Sequence, residues 1–234
     1  MTVKIKTDLL VIGAGAGGLS VAAGAAQLGI KVVLLEGDKM GGDCLNYGCV
    51  PSKALIAFSN QRKPKKFSDA MGFVRDAINE IEPHDSEERF RSLGVNVIRE
   101  YGQFVNETTV AAGAYEIQPR RIVIATGVHT PVPDISGLSD VQYYTNQTIF
   151  DLTKKPEHLL VLGGGPVGVE LAQAFARLGV NVTIFEKRKL LSNFSREQVE
   201  ILRVSLVEDG VSLKEDTCVN NISKVGGKLV VQLT

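Results

Sequence analysis

Apolar residues run along the chain in two rhythms. Short apolar-rich runs from Asp8 to Ile12, Ile30 to Leu35, His158 to Leu162 and Val180 to Phe185 read as strands. Alanine-rich stretches that favour helix follow the first and third of these runs and reach Gln27 and Leu178. Helical spacing also predicts a long helix across Cys44 to Ala57, begun at Pro51, which has no N–H to lose in a first turn. Further helices are expected from Phe67 to Ile81, from an Asp85 cap with Glu88 three residues on as far as Leu93, and from Ser195 to Glu208. Val95 to Arg99, Gly102 to Asn106, Thr108 to Ala112, Tyr115 to Gln118 and Arg121 to Ala125 read as successive short strands parted by polar or glycine turns. Val211 to Lys214 reads as another strand, and Val219 to Leu233 as a hairpin turning at Gly226-Gly227. The assembly these elements predict is α/β, a parallel sheet carrying a small antiparallel meander.

The pattern is used twice. Val11 to Glu36 recurs from Val161 to Glu186 without a gap, at an offset of 150 residues. Each copy is strand, G-x-G-x-x-G turn, helix, strand and acid. Gly13 and Gly163 permit the tight turn, Gly15 and Gly165 let backbone approach a pyrophosphate, and Gly18 and Gly168 let helix and strand pack closely. Glu36 and Glu186 each lie 23 positions after the first glycine, near the ~20 at which an acid reaches the ribose hydroxyls of an adenosine. Two Rossmann-like dinucleotide units follow, in three-layer form. The polar connector Asp151 to Pro156 divides the chain into residues 1–152 and 153–234, and the second unit reads as incomplete.

Composition narrows the partners. The 26 Lys and Arg cancel the 26 Asp and Glu, so the electrostatic footprint of a nucleic-acid or anionic-membrane binder is missing and small molecules or protein are expected. The uncharged stretch from Leu9 to Ile30 is long enough to imitate a membrane span, but it is built of Gly and Ala, with Ser20 and Gln27 inside it. It is assigned to the first dinucleotide unit. The basic run Gln61 to Lys66 reads as a solvated loop broken by Pro64. Three cysteines make no disulfide framework, and with no signal peptide evident a reducing, cytoplasmic setting is expected.

Between the two copies, Cys44 and Cys49 stand five apart at a helix entrance, where the helix N-terminus lowers a thiol pKa. The pair reads as a reversible disulfide, as two buried structural thiols, or as half of a metal site. The last needs further ligands, for which His84, His129 and His158 have no suitable spacing. Cys218, alone in a strand-like segment, reads as core.

The segment Gly41-Gly42-Asp43-Cys44-Leu45-Asn46-Tyr47-Gly48-Cys49-Val50-Pro51-Ser52-Lys53 resembles the active-site segment of the FAD-dependent pyridine nucleotide-disulfide oxidoreductases, especially the dihydrolipoamide dehydrogenases and mercuric reductase-like enzymes. Ile124-Ala125-Thr126-Gly127, with Pro131 and Pro133, resembles that family's exit from the FAD domain, and Gly163 to Glu170 its NAD(P)-binding turn. The resemblance covers essentially the whole chain. It implies FAD on the first unit, contacted by Gly13, Gly15, Gly18, Glu36, Gly42, Thr126 and Gly127, and NAD on the second, contacted by Gly163, Gly165, Gly168 and Glu186. NADP is the less favoured alternative, although Lys187 and Arg188 directly after Glu186 suit a ribose phosphate. By the same resemblance Cys49 faces the flavin, Cys44 exchanges with a small-molecule disulfide or dithiol, and Lys53 pairs with Glu170 beside the flavin.

Full-length members of the family run to roughly twice this length and form homodimers through a C-terminal domain, which supplies a His–Glu general base; no histidine of this chain matches that motif. Two readings of different class follow: the front part of a flavin disulfide reductase, lipoamide-linked or mercuric reductase-like, or a truncated nucleotide-binding module that turns nothing over.

Overall fold

The computed structural model describes residues 2–61 and 66–234. Most of the basic run between Gln61 and Lys66 therefore lies outside the described residues. The chain divides into two compact units, residues 1–51 with 75–129 and residues 52–74 with 130–234. The position expected for the division, 152/153, lies inside the second of these, which takes in residues 130–152.

In the first unit, strand β1 (Val3–Ile12), helix α1 (Ala16–Gln27) and strand β2 (Val32–Leu35) form the predicted βαβ unit. The expected long helix is instead two: α2 (Gly42–Asn46) and α3 (Cys49–Ser59). Tyr47 leaves helical geometry at φ −139°, and the chain bends between the two cysteines at Gly48, where a Cβ would lie 3.0 Å from the Asp43 carboxylate and 3.1 Å from its carbonyl oxygen. Helix α3 starts two residues ahead of Pro51 and passes into the second unit from Ser52, and α4 (Phe67–Ile81) returns from it at Arg75.

A 3₁₀ turn over Glu82–Asp85 precedes α5 (Glu87–Ser92). Its cap is Ser86, not Asp85: the Ser86 hydroxyl accepts from the Arg89 N–H at 3.2 Å, because Asp85 is still inside the preceding turn. Strands β3 (Asn96–Ile98), β4 (Gln103–Asn106), β5 (Thr109–Ala112) and β6 (Tyr115–Ile124) complete the unit in the order β3-β2-β1-β6-β5-β4. β6 replaces the two strands expected across Pro119. It pairs with β5 only up to Ile117, so Pro119, which has no N–H, sits where β1 is the sole neighbour.

The two faces of this sheet carry separate cores, as strand alternation requires. Val11, Leu34 and Val97 face α1 and α5 with Leu19, Ala22 and Phe90, whereas Leu10, Ile12, Val33 and Leu35 face the other way with Val110 and Ile117. β1 is held on both edges, by β2 from Leu9↔Val32 to Ile12↔Leu35 and by β6 from Val3↔Tyr115 to Ile12↔Ile124.

In the second unit, β7 (His158–Leu162), α6 (Pro166–Arg177), β8 (Asn181–Phe185), α7 (Arg196–Glu208) and β9 (Val211–Lys214) form a parallel sheet in the order β7-β8-β9. α6 buries Val169, Ala172 and Phe175, the last in ring contact with Phe67 at 6.0 Å. The hairpin β10 (Val219–Val225) and β11 (Lys228–Leu233) turns on Gly226 and Gly227, both at positive φ, as a two-residue turn demands. Cys218 is half-buried and extends this hairpin through paired backbone bonds with Thr234. Among the described residues no helix is long and apolar enough to cross a membrane.

Candidate active site

The first turn is closed around its glycines. A Cβ on Gly18 would lie 1.8 Å from the Gly13 carbonyl oxygen, and one on Gly13 would lie 2.3 Å from the Ala125 oxygen and 3.1 Å from the Thr126 nitrogen. Gly13 has φ +103°, a conformation that only glycine adopts without strain. Thr126 is thus brought directly against the turn; Gly127 follows it at positive φ with open space around its Cα. Helix α1 begins at Gly15, with no side-chain cap and no acid in its first turn, so its leading N–H groups are aimed at space where an anion fits. In the second unit Gly165 caps α6 in the same way, also without an acid, and a Cβ on Gly168 would lie 2.3 Å from the Gly163 oxygen. Both turns therefore suit a dinucleotide pyrophosphate.

Each acid is already engaged with its own turn. Glu36 accepts from the Ala14 N–H at 2.6 Å and the Asp38 N–H at 2.7 Å. Glu186 accepts from the Gly164 N–H at 2.7 Å and the Arg188 N–H at 2.9 Å. A carboxylate offers about four lone-pair sites, so both can still receive ribose hydroxyls. Composition and spacing give no sign of this second set of bonds, because the partners are backbone groups.

The cysteine segment is fastened to the first turn. Gly15 and Gly41 form a backbone bridge, and a Cβ on Gly42 would lie 2.6 Å from the Gly15 Cα, so Gly42 is where the two loops touch. Asn46 then pins the loop from inside: its Nδ2 donates to the Met40 and Gly42 carbonyls, each at 2.9 Å. The sequence motif contains Asn46, but its task becomes visible only with the loop in place.

Cys44 is half-buried and Cys49 exposed, unbridged and in hydrogen-bond contact. A pair of buried structural thiols does not describe them. Burial first, and then the hydrogen bond and charge of Cys49, push the Cys44 thiol up from 9.0 to about 11. For Cys44 this reverses the expectation of a lowered pKa. The cause is local: Cys44 lies in a five-residue helix whose dipole is short, while desolvation and a neighbouring sulfur both favour the neutral thiol.

In the second unit Lys53 Nζ meets both Glu170 carboxylate oxygens at 3.0 Å, with side-chain exposures of 61% and 38%. The two residues are 117 apart in the sequence, so neither copy of the repeat predicts their meeting. After Glu186, Lys189 pairs with Asp216, and Arg203 grips Glu215, which also accepts from the Leu190 N–H at 2.6 Å. The Arg203 guanidinium holds the Glu215 carboxyl below the usual carboxylate range. Of the basic residues beyond Glu186, Lys189 and Arg203 are therefore committed to structural pairs.

A family model for pyridine nucleotide-disulphide oxidoreductases matches residues 7–234. A mercuric reductase of Bacillus cereus is 35% identical over 222 residues, covering 88% of this chain and 35% of that protein. A dihydrolipoyl dehydrogenase of Haloferax volcanii is 33% identical, covering 88% of this chain and 48% of its own length. Among solved structures, the HOCl-induced flavoprotein disulfide reductase RclA from Escherichia coli superposes with a TM-score of 0.87 at 30% identity, over 96% of this chain and 52% of that one. The chain thus spans about half the length, or less, of the curated relatives it matches. With the match running through both glycine turns and the cysteine segment, the chain belongs to the pyridine nucleotide-disulphide oxidoreductase family.

Proposed function

We propose that this chain carries the nucleotide-binding and disulfide-exchanging part of an FAD-dependent disulfide oxidoreductase. The first unit binds FAD through the turn Gly13–Gly18, Glu36, Gly42, Thr126 and Gly127, and the second binds NAD through Gly163, Gly165, Gly168 and Glu186. The supporting observation is the Gly15–Gly41 bridge, which fastens the loop of Cys44 and Cys49 to the first turn. Bound FAD supplies two-electron transfer between the nicotinamide and the sulfur pair.

The chain's own residues do the rest. Cys49 faces the flavin and Cys44 exchanges with substrate, so closing the Cys44–Cys49 bond releases two electrons and two protons and opening it takes them up. At neutral pH a thiol with a pKa of about 11 is almost wholly protonated, so exchange at Cys44 requires a base to take its proton. Lys53, held by Glu170, places a positive charge beside the flavin. Glu186 favours NAD over NADP by accepting from the ribose hydroxyls, and with Lys189 and Arg203 engaged in ion pairs, Lys187 and Arg188 are the cations next to it in the sequence for a phosphate.

The substrate class is a small disulfide or dithiol of the lipoamide kind, with mercuric ion as the second candidate because relatives bear that name. The whole protein works as a homodimer in a reducing, cytoplasmic setting. The second reading is a chain that binds nucleotides and turns nothing over.

A visible spectrum of the purified chain, before and after NADH, separates the two. Bound flavin that bleaches with NADH and yields two titratable thiols supports the reductase. Bound flavin that NADH leaves oxidised supports the nucleotide-binding module, and a colourless chain removes the assignment of FAD to the first unit.

A further inference from the structure

The two copies of the repeat differ where the loop after the acid meets the turn. In the first copy the turn carries Ala14, fully buried, and the position 150 residues before Leu191 is Gly41, at φ +81°. In the second copy the turn carries Gly164, and the loop carries Leu190 and Leu191 where the first has Met40 and Gly41. Leu190 is 1% exposed, and a Cβ on Gly164 would lie 2.7 Å from its Cδ1, so the leucine occupies the space beside the turn that a methyl would take. Leu191 stands at φ +48°, which a leucine rarely adopts, and its N–H donates to the Gly164 carbonyl at 3.0 Å. Gly164 is thereby held at three points: its N–H by Glu186, its carbonyl by Leu191 and its Cα by Leu190.

Strain at one residue persists only where its surroundings impose it. Here they do, because the Leu190 N–H is fixed by Glu215, itself gripped by Arg203, and the Arg188 carbonyl accepts from the Asp216 N–H at 3.2 Å. With Arg188 and Leu190 anchored before it and its own carbonyl accepting from the Phe194 N–H at 2.9 Å, Leu191 has the left-handed conformation forced on it.

We propose that Leu190 and Leu191 form a latch on the second dinucleotide turn, positioning Gly164 and hence the leading N–H groups of α6 for a nicotinamide dinucleotide. The ligand in this proposal rests on the reading of the second unit given above; the latch itself rests on the contacts to Gly164.

A double-mutant cycle tests it. Leu190→Ala removes the side chain beside Gly164, and Gly164→Ala drives a methyl into it; each single variant should weaken NADH binding, measured by fluorescence titration, by about fivefold through lost preorganisation. In the combined G164A/L190A variant the new methyl takes up space that the leucine has vacated, and its NADH affinity should return to within about twofold of the unchanged chain. Its Tm should stay low, since a buried leucine is still missing, which separates positioning from stability. Hydrogen exchange of the Gly163–Gly168 amides reads the latch without any nucleotide and should be faster in both single variants and slow again in the double. An affinity or exchange rate in the double equal to the product of the singles overturns the latch, as does an unchanged L190A variant. If the unchanged chain binds neither NADH nor NADPH, the nucleotide assignment fails, and exchange alone then decides for or against the latch.

Discussion

The same twenty-six-residue pattern is built twice here, and the two copies agree locally while differing in how they are packed. Gly13 and Gly163 have φ of +103° and +107°, and the acids reach their turns at 2.6 and 2.7 Å. Yet Leu10 and Val11 in β1 have no exposure at all and Ile12 has 8%, while Leu160 and Val161 in β7 are half-buried and Leu162 is 36% exposed. The sequences are of one type; the neighbours are not. β1 lies between β2 and β6, whereas among the described residues β7 pairs with β8 alone. Local sequence sets the turn, and the flanking strand sets how much the turn's foundation can yield. The copies also diverge after the acid: the place taken by Cys44 in the first is taken by Phe194, just ahead of α7, in the second.

The sharpest test of that difference is a methyl at the helix–strand contact. Gly18→Ala would put its Cβ 1.8 Å from the Gly13 oxygen, directly after a strand clamped on both edges, and should cost about 3 kcal/mol in urea unfolding. Gly168→Ala meets its oxygen at 2.3 Å beneath a strand free on one edge, and should cost about 2 kcal/mol or less. Equal losses would mean that the free edge of β7 gives no slack. A second pair of variants asks where the copies should match. Glu36→Gln and Glu186→Gln each turn an amide toward a backbone N–H, and with nearly equal distances both should lose about 1.5 kcal/mol. A loss at one alone would show that the acids hold their turns unequally.

Much of this was legible because the repeat is local. Strand, turn, helix and acid lie within a window where spacing carries the geometry, so Gly13 to Glu36 and Gly163 to Glu186 could be read directly. What escaped depended on contacts far along the chain or on backbone groups. Pro119 argued against a continuous strand until the partners of β6 showed which side of it was unpaired. Residues 130–152 gave no hint that they pack with the second unit. In the cysteine segment the residues were readable but the Cys44 pKa was not, since burial and the neighbouring Cys49 sulfur outweigh the helix end that spacing suggested.

That thiol gives the loop after the first copy an alkaline sensitivity at a position where the second has Phe194. The folded chain keeps the Cys44 proton up to about pH 11, whereas the unfolded chain releases it near 9.0. The stabilising contribution is therefore complete below pH 9 and is lost as pH rises through 11. In reduced protein, iodoacetamide labelling of Cys44 followed by mass spectrometry should accelerate up to about pH 11, and Cys44→Ser should flatten the loss of Tm between pH 9 and 11. A labelling rate that levels off by pH 8 would restore the lowered pKa expected from the helix entrance.

The smallest effect on stability belongs to the pair with the largest proposed role. Lys53 and Glu170 meet at 3.0 Å, but their side chains are 61% and 38% exposed, so solvent screens the attraction and ordering a lysine offsets part of it. Lys53→Met should lower the unfolding free energy in urea by less than about 0.5 kcal/mol, below either glutamate variant. Its flavin reduction potential should nonetheless fall, because removing a positive charge disfavours the reduced, anionic ring. A potentiometric titration at low and high salt checks this, and the shift should shrink as salt rises. A variant with normal stability and an unmoved potential would mean that Lys53 and Glu170 are an ordinary exposed ion pair.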